Sequence, residues 1–303
     1  MRNIALSIAC GFLCGCGGIA ESILGTIVDS FIGDVAVYDP SPETVSASRL
    51  AFVTSQSGDV TCLILNSGNS DPVASFGVKS NGIASGRSGD LFISTDTGVW
   101  GLDADWTEID GLPVNEDLVR FDGVAADAGM VVVATRTDDG AAILVVDEVS
   151  RKVVAASAPI PGVTITGLAV AEGTAFAIEW PSGEIVAYDI TVPSPARTPL
   201  VGSGETSGEP VALVIGDTGN LFVASTGGVV EEIDVETGEP VGPLFSGGAF
   251  VQPVGLAFDA GEERYLLLTA ADVVLEIDRS GRVVSSHRSE LVEDATGITF
   301  VGR

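Results

Sequence analysis

The stretch VVLEIDRSG, residues 273–281, is an apolar strand that ends in Asp and runs straight into a turn, and the chain writes it repeatedly. VEEIDVETG begins at 230, IVAYDITVP at 185, ILVVDEVSR at 143 and VWGLDADWT at 99. The closing Asp falls at Asp103, Asp147, Asp189, Asp234 and Asp278, with Asn66 in the same place after TCLIL. Successive spacings are 37, 44, 42, 45 and 44 residues. A second marker keeps the same period: NGIAS at 81, DGVAA at 122, TGLAV at 166, PVALV at 210, PVGLAF at 253 and TGITF at 296. Between the two markers lies a further apolar segment, such as DLFISTD at 90, NLFVAST at 220 and RYLLLTA at 264, bounded by turn formers as short strands are. A weaker strand follows the turn after the Asp, as in KVVAASA and RVVSSHR.

Four strands per unit of about 42 residues, without helical periodicity, describe a β-propeller blade. The last three strands occur in six sets, but the first-strand marker returns once more at TGITF, where the chain ends. That segment has nothing after it in sequence to pair with, so it is expected to complete the blade whose other strands begin near Ala47. The expected fold is therefore all-β, a six-bladed propeller of four-stranded blades over residues 45–303. Pairing the C-terminal strand with the first blade closes it and protects sheet edges. DVAVYD at 34 reads as an edge strand or tether rather than a seventh blade. The recurring Asp residues read as turn chemistry, since Asx side chains accept hydrogen bonds from turn N–H groups.

The chain carries 42 acidic against 14 basic residues, a net charge of −28, which excludes a phosphate-binding surface for nucleic acid or anionic lipid. No D-x-[DN]-x-[DN]-G calcium loop occurs, and TDDG at 137 and DTGN at 217 serve equally well as turns. Solubility accounts for the acidity.

The first sixteen residues, MRNIALSIACGFLCGC, combine an Arg, a short apolar run and small residues before a cysteine, the layout of an export signal. Leu13, Cys14, Gly15 and Cys16 resemble the bacterial lipobox, which implies diacylation of Cys16 as the mature N-terminus. Residues 1–16 are then the signal and 17–44 a tether. Cleavage after Ala20 would instead give a secreted protein, and an uncleaved anchor over residues 4–28 would bury Glu21 in lipid at a cost. Cys62 is then the lone body cysteine, expected as a small buried hydrophobe.

The markers PVGLAFD, RYLLLT and VVLEIDRSGRVV resemble the NHL, YVTN and related bacterial propellers, and the last blade resembles the propeller family called SdiA-regulated. The resemblance implies the fold and leaves function open, because propellers carry hydrolases, lyases, dehydrogenases and binding platforms. The gluconolactonase-like members hold a divalent metal at the central tunnel with Glu, Asn and Asp. The positions just before the marker glycine or its equivalent here are Asn81, Asp122, Thr166, Val211, Val254 and Thr296. Asn81 and Asp122 are expected to face the tunnel, but no Glu joins them, and two hard ligands are too few for calcium.

His287, the only histidine, is expected to face solvent on an outermost strand, away from the tunnel, which denies it a triad role. GSGETSG at 202 reads as a flexible loop without a nucleophile elbow. Trp180, in IEWPSGE, falls in the connection between second and third strands, where an exposed aromatic anchors a partner. Arg136 and Asp138 occupy the corresponding loop one blade earlier. The expected function is an exported, lipid-anchored binding or scaffold module at the bacterial cell envelope, monomeric, with a protein or glycan partner. It needs no cofactor. The alternative is a metal-assisted lactonase or esterase with a tunnel site built on Asn81 and Asp122, for which Ca²⁺ is the candidate ion.

Overall fold

The computed structural model describes residues 36–37, 49–109, 120–248, 251–288, 291 and 293–301. The stretch expected to be a signal, with Cys16, and most of the expected tether lie outside them. In chain order the strands are β1 (Ala36–Val37), β2 (Leu50–Ser55), β3 (Asp59–Ile64), β4 (Asn69–Ser75), β5 (Ser80–Ser85), β6 (Leu91–Thr95), β7 (Val99–Leu102) and β8 (Glu108–Ile109). There follow β9 (Arg120–Asp127), β10 (Met130–Thr137), β11 (Gly140–Asp147), β12 (Val153–Ala156), β13 (Thr164–Ala171), β14 (Thr174–Trp180), β15 (Glu184–Asp189) and β16 (Arg197–Val201). The last are β17 (Pro210–Ile215), β18 (Leu221–Ser225), β19 (Val229–Ile233), β20 (Pro240–Ser246), β21 (Pro253–Asp259), β22 (Arg264–Thr269), β23 (Val273–Asp278), β24 (Val283–Arg288) and β25 (Ala295–Val301). They form six antiparallel sheets. Five are consecutive four-strand runs, blades 2 to 6, and blade 1 has the order β1-β4-β3-β2-β25. The inner strands β25, β5, β9, β13, β17 and β21 touch one another in that order around a central channel. The fold is the expected six-bladed propeller, closed by its C-terminal strand, with the segment at 36–37 lying as an edge strand outside β4.

The composition of each strand follows from its radial position. Every sheet is covered on both faces by its neighbours, so second strands are buried along their centres, and LAFVTS in β2 and LFIST in β6 expose no residue. A strand buried on both faces reads as a continuous apolar run instead of an alternation. Outermost strands such as β12, VVAA, are mostly exposed. Aromatics fill the wedges between blades. Phe52 of blade 1 meets Trp106 of blade 2 edge-on at 5.5 Å, and Tyr265 of blade 6 sits 4.4 Å from Phe222 of blade 5. Cys62 is buried among the residues of the first wedge.

The recurring Asp acts as a turn acceptor. Asp103 Oδ1 accepts from the Asp105 and Thr107 amides, Asp147 Oδ1 from Ser150, Asp189 Oδ1 from Thr191, and Asp234 Oδ1 from Glu236 and Thr237. At Asp278 the Ser280 hydroxyl, with the Arg282 and Ser280 amides, holds the carboxyl down at about 2. The glycine closing two of these turns has its own reason. Gly238 and Gly281 have φ of 74° and 78°, and a Cβ there would lie 2.0 Å from the Leu200 carbonyl oxygen and 1.8 Å from that of Leu244. Both carbonyls belong to the preceding blade's outer strand, so the turn can seat there only without a side chain.

Ring closure has a backbone part and an electrostatic part. β25 supplies the inner strand of blade 1, from Leu50↔Val301 to Ser55↔Ala295. Arg49, one residue before β2, reaches the last blade: its Nε lies 2.5 Å from Asp259 Oδ2 and its Nη2 2.8 Å from Glu276 Oε2. Glu276 also accepts from Arg264 Nη1 at 2.9 Å and from His287 Nε2 at 2.6 Å. His287 is on the outermost strand β24 as expected, but it is buried rather than solvent-facing, because its ring fills the space beside this buried carboxylate. Burial alone would raise the Glu276 carboxyl, but the bonds from His287, Arg264 and Arg49 hold it at about 2.

A carboxyl whose folded value is depressed contributes stability that is full above its ordinary value and is lost as pH falls toward the folded value. Glu276 therefore stabilises the closed ring above pH 4.5 and releases that stability between about 4.5 and about 2. Glu276→Gln should cost about 3–5 kcal/mol at pH 7, the range for breaking a buried ion pair. Urea unfolding across that window should show the gap between wild type and variant narrowing as pH falls, and a constant gap would remove Glu276 from the clamp.

Candidate functional site

The six inner strands share one irregularity. Cross-strand register slips at the same place in each, leaving Asn81, Asp122, Thr166, Val211, Val254 and Thr296 without a directly opposed residue. These are the positions before the marker glycine or its equivalent, and each is a β-bulge, which re-aims a side chain. The next residue is glycine in five blades and Ala212 in the fifth. At this level neighbouring inner strands come close: a Cβ on Gly297 would sit 3.4 Å from the Gly82 Cα of the next blade, and 3.2 Å from Thr54 Oγ1 of its own. The six bulges surround one end of the channel, which we term the upper mouth.

Below the mouth the channel encloses about 230 Å³ and is walled by 83–85, 124–126, 168–170, 213–215, 256–258 and 298–300. Most of the side chains along it are apolar, while backbone polar groups share the exposed wall. Ser85 Oγ donates to the Phe300 carbonyl at 2.9 Å and Thr299 Oγ1 to Ser85 Oγ at 3.3 Å, so both hydroxyls are bonded within the wall.

Polar chemistry is concentrated at the mouth, on blades 2 to 4. Asn81 Nδ2 donates to Asp96 Oδ1 and to the Phe121 carbonyl, both at 2.8 Å, which ties blade 2 to blade 3. Asp122 is buried and shares its two oxygens between two guanidiniums: Oδ1 lies 2.8 Å from Arg120 Nε, and Oδ2 accepts from Arg136 Nη2 at 3.1 Å. Arg120 Nε also lies 3.3 Å from Asp96 Oδ1, and Arg136 Nη2 donates to Thr164 Oγ1 at 2.6 Å, the link to blade 4. Thr164 is the cross-strand partner of Trp180. Directly opposed residues of an antiparallel pair project to the same face. Trp180 is 52% exposed, so the arc ends on an open aromatic surface. Arg120 and Arg136 remain 38% and 36% exposed at the side chain, with their outer edges toward solvent.

Four of the anticipated residues, Asn81, Asp122, Arg136 and Trp180, thus fall on one arc. Asp138 is exposed in the turn after β10 and stands outside this bonded network. Trp180 is the last residue of β14 instead of a connection residue. The GSGETSG segment is pinned: Ser207 donates from its amide and hydroxyl to the buried Glu231 at 2.7 and 2.8 Å, and Glu205 accepts from the Gly202 amide. Arg120, Asp96 and Thr164 were not singled out from sequence. The one signal for Arg120 is its position two residues before Asp122 in RFD, and for the others only three-dimensional neighbourhood supplies one. At the opposite end, a cavity of about 510 Å³ between blades 4 and 5 is lined by Phe176, Ile215 and Val235 with Glu172, Asp189 and Glu236 at its edge.

No protein-family model and no curated protein matches this chain. Solved structures do. A protein of unknown function from Bacteroides caccae superposes with a TM-score of 0.66 at 15% identity, covering 85% of this chain and 100% of that one. A chain from a nidogen/laminin complex superposes with a TM-score of 0.67 at 14% identity, covering 84% and 98%. At such identities the likeness shows the fold alone.

Asp122 is the one buried acceptor that neutralises both mouth guanidiniums. Asp122→Asn should lower stability by about 1–3 kcal/mol, less than a fully buried pair because both arginines are partly solvated. The urea midpoint reads this directly, and an unchanged midpoint would mean that the arginines find solvent just as good.

Proposed function

We propose that this chain is a binding module, exported to a bacterial cell envelope and lipid-anchored at Cys16, that engages its partner through the upper mouth on blades 2 to 4. One observation carries the reading: three neighbouring blades contribute a continuous polar arc ending on exposed Trp180, above a channel whose Ser85 and Thr299 hydroxyls are bonded within its own wall. Rim arginines and an exposed Trp are the residue types that dominate binding hot spots. A structural neighbour comes from a nidogen/laminin complex, and this propeller suits the same use in an assembly. The NHL/YVTN-like layout and the lipobox-like end of the signal belong to the same reading.

The metal-assisted hydrolase is the weaker alternative. Asn81 and Asp122 would be its ligands, yet both Asp122 oxygens are held by arginines that a divalent cation would have to displace. Among the described residues no three His, Cys, Asp or Glu side chains gather in metal-holding geometry.

Two experiments test the proposal. The double variant Trp180→Ala/Arg136→Ala should lose at least about tenfold of the affinity for any partner that the wild type captures by crosslinking in envelope extracts. Equal capture by both proteins would move the interface elsewhere. Cys16→Ser should shift the protein from the membrane to the soluble fraction and abolish incorporation of labelled fatty acid. Unchanged membrane association would end the lipid-anchor assignment.

A further inference from the structure

We infer that the arc from Asn81 to Trp180 is a recognition site for a neutral saccharide, an inference that rests on the binding-module reading and specifies its ligand class. The charges within the arc cancel: two guanidiniums, Arg120 and Arg136, stand against two carboxylates, Asp122 and Asp96. A balanced arc offers a cationic or anionic ligand no excess of opposite charge. A polyanion would be opposed by the net charge of −28.

What the arc presents is a set of unused donors and acceptors beside an aromatic face. Among the described residues, Arg120 uses only its Nε in ion pairs and Arg136 only its Nη2, so both Nη of Arg120 and Nη1 of Arg136 are open donors. Asp96 and Asn81 each engage one side-chain atom, Oδ1 and Nδ2, which leaves Asp96 Oδ2 and Asn81 Oδ1 as open acceptors. A hydroxyl both donates and accepts, so adjacent hydroxyls of a sugar satisfy such a mixed row. Asp122, buried, ion-paired with Arg120 and hydrogen-bonded to Arg136, holds the two guanidiniums in place before a ligand arrives, which lowers the ordering cost of binding. Trp180 projects to the same side as Thr164, which Arg136 touches, and its indole face is open to the apolar C–H face of a sugar ring.

The test uses the full chain and a panel of neutral oligosaccharides of four to six units: β-glucan, chitin, mannan and galactan fragments. Binding is read by calorimetry and by tryptophan fluorescence. At least one panel member should bind with Kd between about 0.01 and 1 mM, with little change between low and high salt. Trp180→Ala should weaken it at least tenfold and Arg136→Ala severalfold, while Trp180→Phe, which keeps a flat ring, should stay close to wild type. Circular dichroism and the unfolding midpoint confirm that each variant is folded, and Trp180→Phe separates loss of the stacking face from loss of structure. No binding up to about 10 mM, or binding that ignores Trp180→Ala, overturns the saccharide assignment. A peptide library runs in parallel. A peptide whose binding depends on Trp180 would overturn the saccharide and keep the binding module, and failure of both panels would remove the mouth as a recognition site.

Discussion

Each blade of this ring is covered on both faces by its neighbours, and that constraint governs everything else in the molecule. A blade with one neighbour missing would expose strands such as LAFVTS and LFIST, which are apolar from end to end. Blade 1 lacks an inner strand until Ala295–Val301 arrives from the other end of the chain. The same junction holds Arg49, Asp259, Glu276, Arg264 and His287 in one buried ionic cluster, so the seam where sequence continuity is absent has its own electrostatic clamp. Ions buried this way stabilise only when each has partners, and here Glu276 has three.

Repetition builds the scaffold and departure from repetition builds the site. All six inner strands bulge at one level, yet the bulged residues are Asn81, Asp122, Thr166, Val211, Val254 and Thr296. Polar character is gathered on blades 2 to 4, while blades 5 and 6 contribute valine. Thr296 bonds Thr54 within its own blade, at 3.1 Å. A symmetric bulge places six side chains around an axis, and asymmetric chemistry at those six places selects the face that meets a partner. The five turn aspartates follow the opposite logic: every one accepts hydrogen bonds within its own turn, and none joins the arc at the mouth.

The remaining buried carboxylates are also interlocks. Glu179 receives a two-pronged pair from Arg197 at 2.8 and 2.7 Å together with the Tyr188 hydroxyl, and Glu231 pins the loop at Ser207. Burial beside the Glu179 charge pushes the Tyr188 phenol up, and burial with the bond to Asp217 does the same to Tyr265. Such shifts in a cleft are signals of catalysis. Here they mark joints within and between blades, since Tyr188 and Arg197 are tied to Glu179 and Tyr265 is tied to Asp217.

By itself the sequence determined the repeat, the number of blades, the closing strand, the role of the aspartates and the six positions around the mouth. Each of these is written in a period of about 42 residues or in local turn chemistry, which needs no distant partner to be read. Only the tertiary structure decided which of the six would act together. Arg120 reaches Asp96 and Arg136 reaches Thr164 because adjacent blades are pressed face to face, and His287 turns inward to Glu276 on the neighbouring strand of its own blade. Side-chain pairing across a blade interface depends on the angle at which two sheets meet, and no spacing along the chain encodes that angle.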